Sequence, residues 1–148
     1  MTRESGTGMG TYVVRDSAVV KAPTDRVWRA LTDPELTRRY FYHARVESSW
    51  LAGQPIVFRS KVLGIVPFTL RGTITEIVPG RILGYRLEHF MKPGQASMVR
   101  IVLESVDAQS TKVSVTDDVG EWPGAQKRYA RSVSGWQKIL RGLTETAA

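Results

Sequence analysis

Near the end of the chain, Tyr129, Val133, Trp136, Leu140 and Leu143 follow one another in steps of four, three, four and three. That spacing puts five large apolar side chains on one stripe of a helix of about 20 residues, with Lys127, Arg128, Arg131, Lys138 and Arg141 off it. A helix with a single apolar stripe needs a surface to cover, and the preceding sequence supplies one. From Ala44 onward, short strand-like runs alternate with turn residues, the pattern of an antiparallel meander. Leu51-Ala52-Gly53-Gln54 separates Arg45–Trp50 from Ile56–Val62, and Val78-Pro79-Gly80-Arg81 carries Pro and Gly at the centre of a type II turn between Leu70–Val78 and Ile82–His89. Lys92-Pro93-Gly94-Gln95 precedes Met98–Val106, and Asp107-Ala108-Gln109-Ser110 leads into Lys112–Val119. Gly64 and Pro67 predict a loop or bulge over Gly64–Phe68.

Ahead of the meander, an apolar run from Thr11 to Lys21 reads as a strand. A helix follows from Pro23 to about Thr32, stopped where Asp33 precedes Pro34, and a second short one runs from Pro34 to about Tyr40. The class is therefore α+β: a curved antiparallel sheet of six to seven strands, two short helices and one long C-terminal helix. In 148 residues this is one unit, read as residues 11–148 after a polar Gly/Ser/Thr-rich tail over 1–10. The longest uncharged apolar stretch, Val62 to Leu70 if Gly64 and Pro67 are allowed, falls far short of the ~20 residues of a membrane span. With no apolar leader either, the expectation is a cytoplasmic protein without membrane insertion.

The chain has no cysteine, and its two histidines, His43 and His89, stand far apart in sequence. Thiol chemistry is excluded, and no metal or other cofactor is expected. A net charge of +7 raises nucleic acid as a partner, with Arg38-Arg39 beside Tyr40-Phe41-Tyr42 as the stacking candidate. The basic residues are spread from Arg3 to Arg141 with no run longer than two, which argues instead for a solvated surface.

The stretch from Ala22 to Leu36, Ala-Pro-Thr-Asp-Arg-Val-Trp-Arg-Ala-Leu-Thr-Asp-Pro-Glu-Leu, resembles the opening of the START-like SRPBCC superfamily. More narrowly it is similar to the activator of heat-shock-protein-ninety ATPase homologue, C-terminal-like domains. Val46–Gly53, Gly72-Thr73-Ile74 with Pro79-Gly80-Arg81, and Gly135-Trp136-Gln137-Lys138-Ile139-Leu140 fit the same pattern. The resemblance implies a helix-grip fold with an apolar cavity between helix and sheet. It leaves function open, since the superfamily includes hydrophobic-ligand carriers, polyketide cyclases and aromatases, and a cochaperone domain.

On this frame the cavity lining is expected from Tyr129, Val133 and Trp136 of the long helix and from Phe58, Tyr85, Leu87, Ile101 and Val115 of the strands. Tyr40, Phe41 and Trp122 are placed at its mouth. Such a lining suits a small hydrophobic, aromatic or lipid-like ligand bound without catalysis; equally, an apolar stripe is first of all a packing device. His89 and Asp117 are the polar residues that alternation turns inward, and they are the weak catalytic candidates of a cyclase- or aromatase-like alternative. A third reading is a cochaperone-like module using its basic surface or the Arg38–Tyr42 segment to meet a protein partner or a second copy.

Overall fold

The computed structural model describes residues 12–88 and 95–148. The expected tail over 1–10, the turn residues Lys92, Pro93 and Gly94, and the catalytic candidate His89 lie outside them. The elements run β1 (Val13–Val20), α1 (Thr24–Thr32), α2 (Pro34–Thr37), β2 (Arg45–Ser48), β3 (Pro55–Val62), β4 (Val66–Val78), β5 (Ile82–Glu88), β6 (Ala96–Asp107), β7 (Ser110–Asp118) and α3 (Ala125–Ala147). All seven strands form one antiparallel sheet in the order β1-β7-β6-β5-β4-β3-β2, a six-stranded meander whose last strand takes back the first. With α3 lying against the sheet, this is the helix-grip arrangement.

Local chemistry sets the breaks. Asp33 is extended, as a residue before proline must be; it ends α1, and its carboxylate then accepts from the Glu35 backbone N–H at 2.9 Å to cap α2. Pro23 caps α1 from outside instead of entering its first turn. The second helix stops at Thr37, earlier than Tyr40, because the buried Thr37 hydroxyl donates to the Ala44 carbonyl and accepts from the Val46 N–H, both at 3.0 Å. Those two bonds tie the helix end to β2 and force residues 38–44 into a tight excursion, in which Tyr42 and His43 both take positive φ. At the β4–β5 turn, Gly80 has φ +78° and the Arg81 N–H donates to the Val78 carbonyl at 2.9 Å, as a type II turn requires.

The Gly64–Phe68 expectation is corrected. Only residues 63–65 turn; Val66 and Pro67 belong to β4, paired with Val62 and Lys61. Among the described residues β5 pairs with β4 from Gly72 onward, and Pro67 takes part only in the ladder with β3. The bulge lies further along, at Thr75 between Ile74 and Glu76.

Side-chain alternation fills the space under α3. Val99, Ile101 and Leu103 on β6, Val113 and Val115 on β7, and Leu83 and Tyr85 on β5 are buried, facing Trp136, Ile139, Leu140 and Leu143. Arg26 Nε donates to the Ala147 carbonyl at 3.0 Å, fixing α1 to the end of α3.

Candidate functional site

The C-terminal half of α3 is packed flush, with Gly142 against Tyr40 so closely that a Cβ there would collide with its Cβ. The N-terminal half stands off from the sheet. Between it and β3–β7 lies a cleft of about 410 Å³. A run of touching rings forms its wall: Trp136 meets Phe41 edge to face at 5.9 Å, Phe41 meets Phe58 at 5.5 Å, and Phe58 meets Tyr85 at 5.5 Å. Leu70, Leu87 and Val99 continue the apolar lining, while Arg128, Arg131 and Ser132 stand along the helix side. Tyr42 covers one edge, its hydroxyl resting where a side chain on Gly135 would be.

Of the residues expected from sequence, Phe41, Phe58, Tyr85, Leu87 and Trp136 come together here, with Asp117. Tyr40 and Ile101 instead line a small void of about 10 Å³ beneath the rings. The Tyr40 hydroxyl donates to the Ala30 carbonyl at 2.6 Å, and burial pushes its pKa up, so it serves as an internal strut. Val115 is deep in the core and Val133 packs at its margin. Tyr129 turns toward Tyr12, ring to ring at 5.7 Å, and Trp122 donates its indole N–H to the Val119 carbonyl beyond the cleft. Sequence reasoning missed Tyr42, Leu70, Val99, Arg128, Arg131, Ser132 and Gly135. A stripe count sends Arg128 and Arg131 off the apolar face because it treats the helix as facing one continuous floor; Gly135, immediately before Trp136, is the signal of a close approach.

Asp117 is the polar feature of this site. It is only 3% exposed, and its Oδ2 accepts the Trp136 indole N–H at 2.8 Å. Its Oδ1 is buried with no hydrogen-bond partner among the described residues. Burial pushes the carboxyl above its ordinary value, against the indole bond, the Arg128 charge and the Ser132 hydroxyl, which all favour the anion. The sign for stability follows. Because the folded form holds this proton more tightly than the unfolded chain, the carboxyl costs nothing at low pH. Its penalty appears as pH rises from the unfolded value through the raised folded one, and persists above. Asp117→Asn keeps an acceptor for Trp136 and removes the titration. It is therefore expected to gain stability relative to the parent as pH rises from about 4 to 7, read from urea unfolding of both proteins at each pH; a constant difference across that range would refute it.

A buried carboxyl in an apolar cleft can orient a bound molecule or exchange a proton with it. No group of three or more His, Cys, Asp or Glu side chains suited to a metal ion occurs among the described residues. His43 lies in a separate, basic groove. No helix among the described residues is long and apolar enough to cross a membrane.

A family model described as Activator of Hsp90 ATPase homolog 1-like protein matches residues 21–148. Among solved structures, the chain is similar to protein MLL2253 from Mesorhizobium loti, with 19% identity, a TM-score of 0.75, and coverage of 90% of this chain and 95% of that one. It is also similar to the Aha1 dimer from Colwellia psychrerythraea, with 16% identity, a TM-score of 0.71, and coverage of 90% and 93%. A third likeness is to the di-domain ARO/CYC BexL from the BE-7585A biosynthetic pathway, at 20% identity and a TM-score of 0.71, over 90% of this chain and 45% of that one. At these identities the likeness is one of fold. No curated protein matches the chain by sequence.

Proposed function

The chain belongs to the family of Activator of Hsp90 ATPase homolog 1-like proteins, and from that premise we propose that it binds a small, flat hydrophobic molecule between α3 and the sheet. The observation that carries this is the continuous ring wall from Trp136 through Phe41 and Phe58 to Tyr85 along a cleft of about 410 Å³. That volume lies within the range usual for small-molecule sites, about 300–1,000 Å³. Arg128 and Arg131 on the helix side favour a ligand that is neutral or anionic at its outer end.

A suitable probe is 1-anilinonaphthalene-8-sulfonate, a pair of aromatic systems with one anionic group. Its fluorescence is expected to rise on binding, and Leu70→Trp, which fills the cleft from β4, is expected to weaken binding about tenfold or more while circular dichroism stays unchanged. Equal binding to parent and variant would place the dye elsewhere and overturn the reading.

A second reading, a cyclase- or aromatase-like enzyme, is favoured by one observation: the buried Asp117 Oδ1 is unpartnered beside the ring wall. In that reading Asp117 holds or delivers a proton to a bound aromatic precursor. The ARO/CYC designation of the BexL structure supports it as analogy only.

A further inference from the structure

The β3–β4 hairpin ends in an apolar tip that the cleft does not explain. Leu63 is 89% exposed, Ile65 76% and Val66 55%, three large aliphatic side chains within four residues of one protruding turn. Isolated exposed aliphatics are ordinary, but a cluster at a tip is not. Leu63 adds a second oddity, since its φ is +55°. In the left-handed region a leucine is strained and asparagine or glycine is the conformational preference. Neither the backbone nor any packing among the described residues calls for leucine there, so what selects it lies outside the described fold.

The surroundings of the tip indicate what that is. Strand alternation sends Phe58 inward to the cleft and puts Arg59 and Lys61 on the opposite face. There, with Arg38, His43 and Arg45, they line a surface groove of about 770 Å³. Two carboxylates answer the four fixed cations: Glu35 pairs with Arg38 and Arg45, and Glu47 pairs with Arg59 at 2.8 Å. Lys61, nearest the tip of the four, has no ion pair among the described residues. The whole chain carries +7, of the same sign as this local excess.

We propose that the hairpin tip and its basic groove dock this protein on an anionic lipid surface, Leu63, Ile65 and Val66 entering the acyl boundary while Lys61 and the groove arginines meet the headgroups. A tip of aliphatic side chains with cations along one side fits a bilayer interface, in which apolar and anionic layers lie one above the other. A protein partner would need a recess shaped for the tip and acidic groups around its rim. One hydrogen bond links the groove to the cleft: the Ser60 hydroxyl, in the groove lining, donates to the carbonyl of Tyr42, which covers the cleft edge, at 2.9 Å. Docking does not depend on the cleft holding a ligand.

The test is co-sedimentation of the full chain with vesicles of phosphatidylcholine alone or mixed with phosphatidylserine, at low and high salt. Binding is expected only with phosphatidylserine and is expected to fall as salt rises. Leu63→Asn should weaken it about tenfold, the loss expected from one leucine no longer buried, while leaving the melting temperature equal or higher because asparagine suits the positive φ. Lys61→Glu should weaken it further and flatten its salt dependence. Absence of binding to phosphatidylserine vesicles at low salt would overturn the proposal. So would equal binding by parent and Leu63→Asn, or a preference for poly-glutamate over vesicles, which would assign the groove to an acidic protein.

Discussion

Gly72→Ala is expected to cost about 3 kcal/mol of stability and to lower the melting temperature by on the order of 10 °C for a domain of this size. Glycine in the middle of a strand normally weakens it, so propensity alone would predict a gain. The structure reverses the sign. A Cβ at Gly72 would run into the Arg86 carbonyl oxygen of β5 and crowd Ile56 Cγ2 at 3.2 Å. Arg86 contributes backbone here, which cannot swing aside as a side-chain end can. The ladder would have to separate where Thr73 pairs with Arg86, next to the Ile74–Tyr85 pair. Gly84→Ala is the fitting control, because its nearest neighbours, the Thr75 hydroxyl at 3.2 Å and Glu76 Cβ at 3.3 Å, are crowded by tenths of an ångström and do not overlap a backbone carbonyl as at Gly72. Thermal melts of the two variants that fell by the same amount would refute the backbone-contact argument.

The second large effect is expected at Phe41. Its ring touches Phe58 and Trp136 and contributes to the lining of both the cleft and the small void beneath it. It is a partition as much as a wall. Phe41→Ala is expected to cost about 2–3 kcal/mol, below the cost at a fully buried phenylalanine because Phe41 is half-buried. It is also expected to join the two spaces into one larger cavity. The two consequences separate experimentally: the melting temperature falls, while 1-anilinonaphthalene-8-sulfonate binding shifts toward larger, bulkier analogues instead of vanishing. If the variant loses stability but keeps the parent's preference among probes, Phe41 packs the core without shaping the cleft.

How much of this was legible in advance differs by physical cause. The α3 stripe and the Pro79-Gly80 turn were readable because each is a local rule, a side-chain period and a φ that glycine permits. Burial of Asp117 followed from alternation along β7, with Val113 and Val115 on the same face. The excursion after α2 was not readable. Tyr40, Phe41 and Tyr42 are three aromatics in a row, and which of them braces the core, divides the cavity or covers the cleft depends on hydrogen bonds from Thr37 to Ala44 and Val46. The start of β4 was not readable either: Pro67 reads as a strand breaker, yet it pairs with Lys61 on β3, and whether proline is tolerated in a strand depends on which neighbours it has.

The pairing of β1 with β7 bears on how the molecule is made. Val13 is registered with Asp118, 105 positions later, whereas every other strand lies beside a neighbour in sequence. On the ribosome, β1 emerges first and has no partner until almost the entire meander has followed. During that interval Val13, Val14 and Val20, all buried in the finished molecule, remain exposed to solvent or to a chaperone. Closing so long a loop costs only slightly more entropy than closing a moderate one, but the β1–β7 pairing is the most non-local in the sheet, the kind of contact that slows folding.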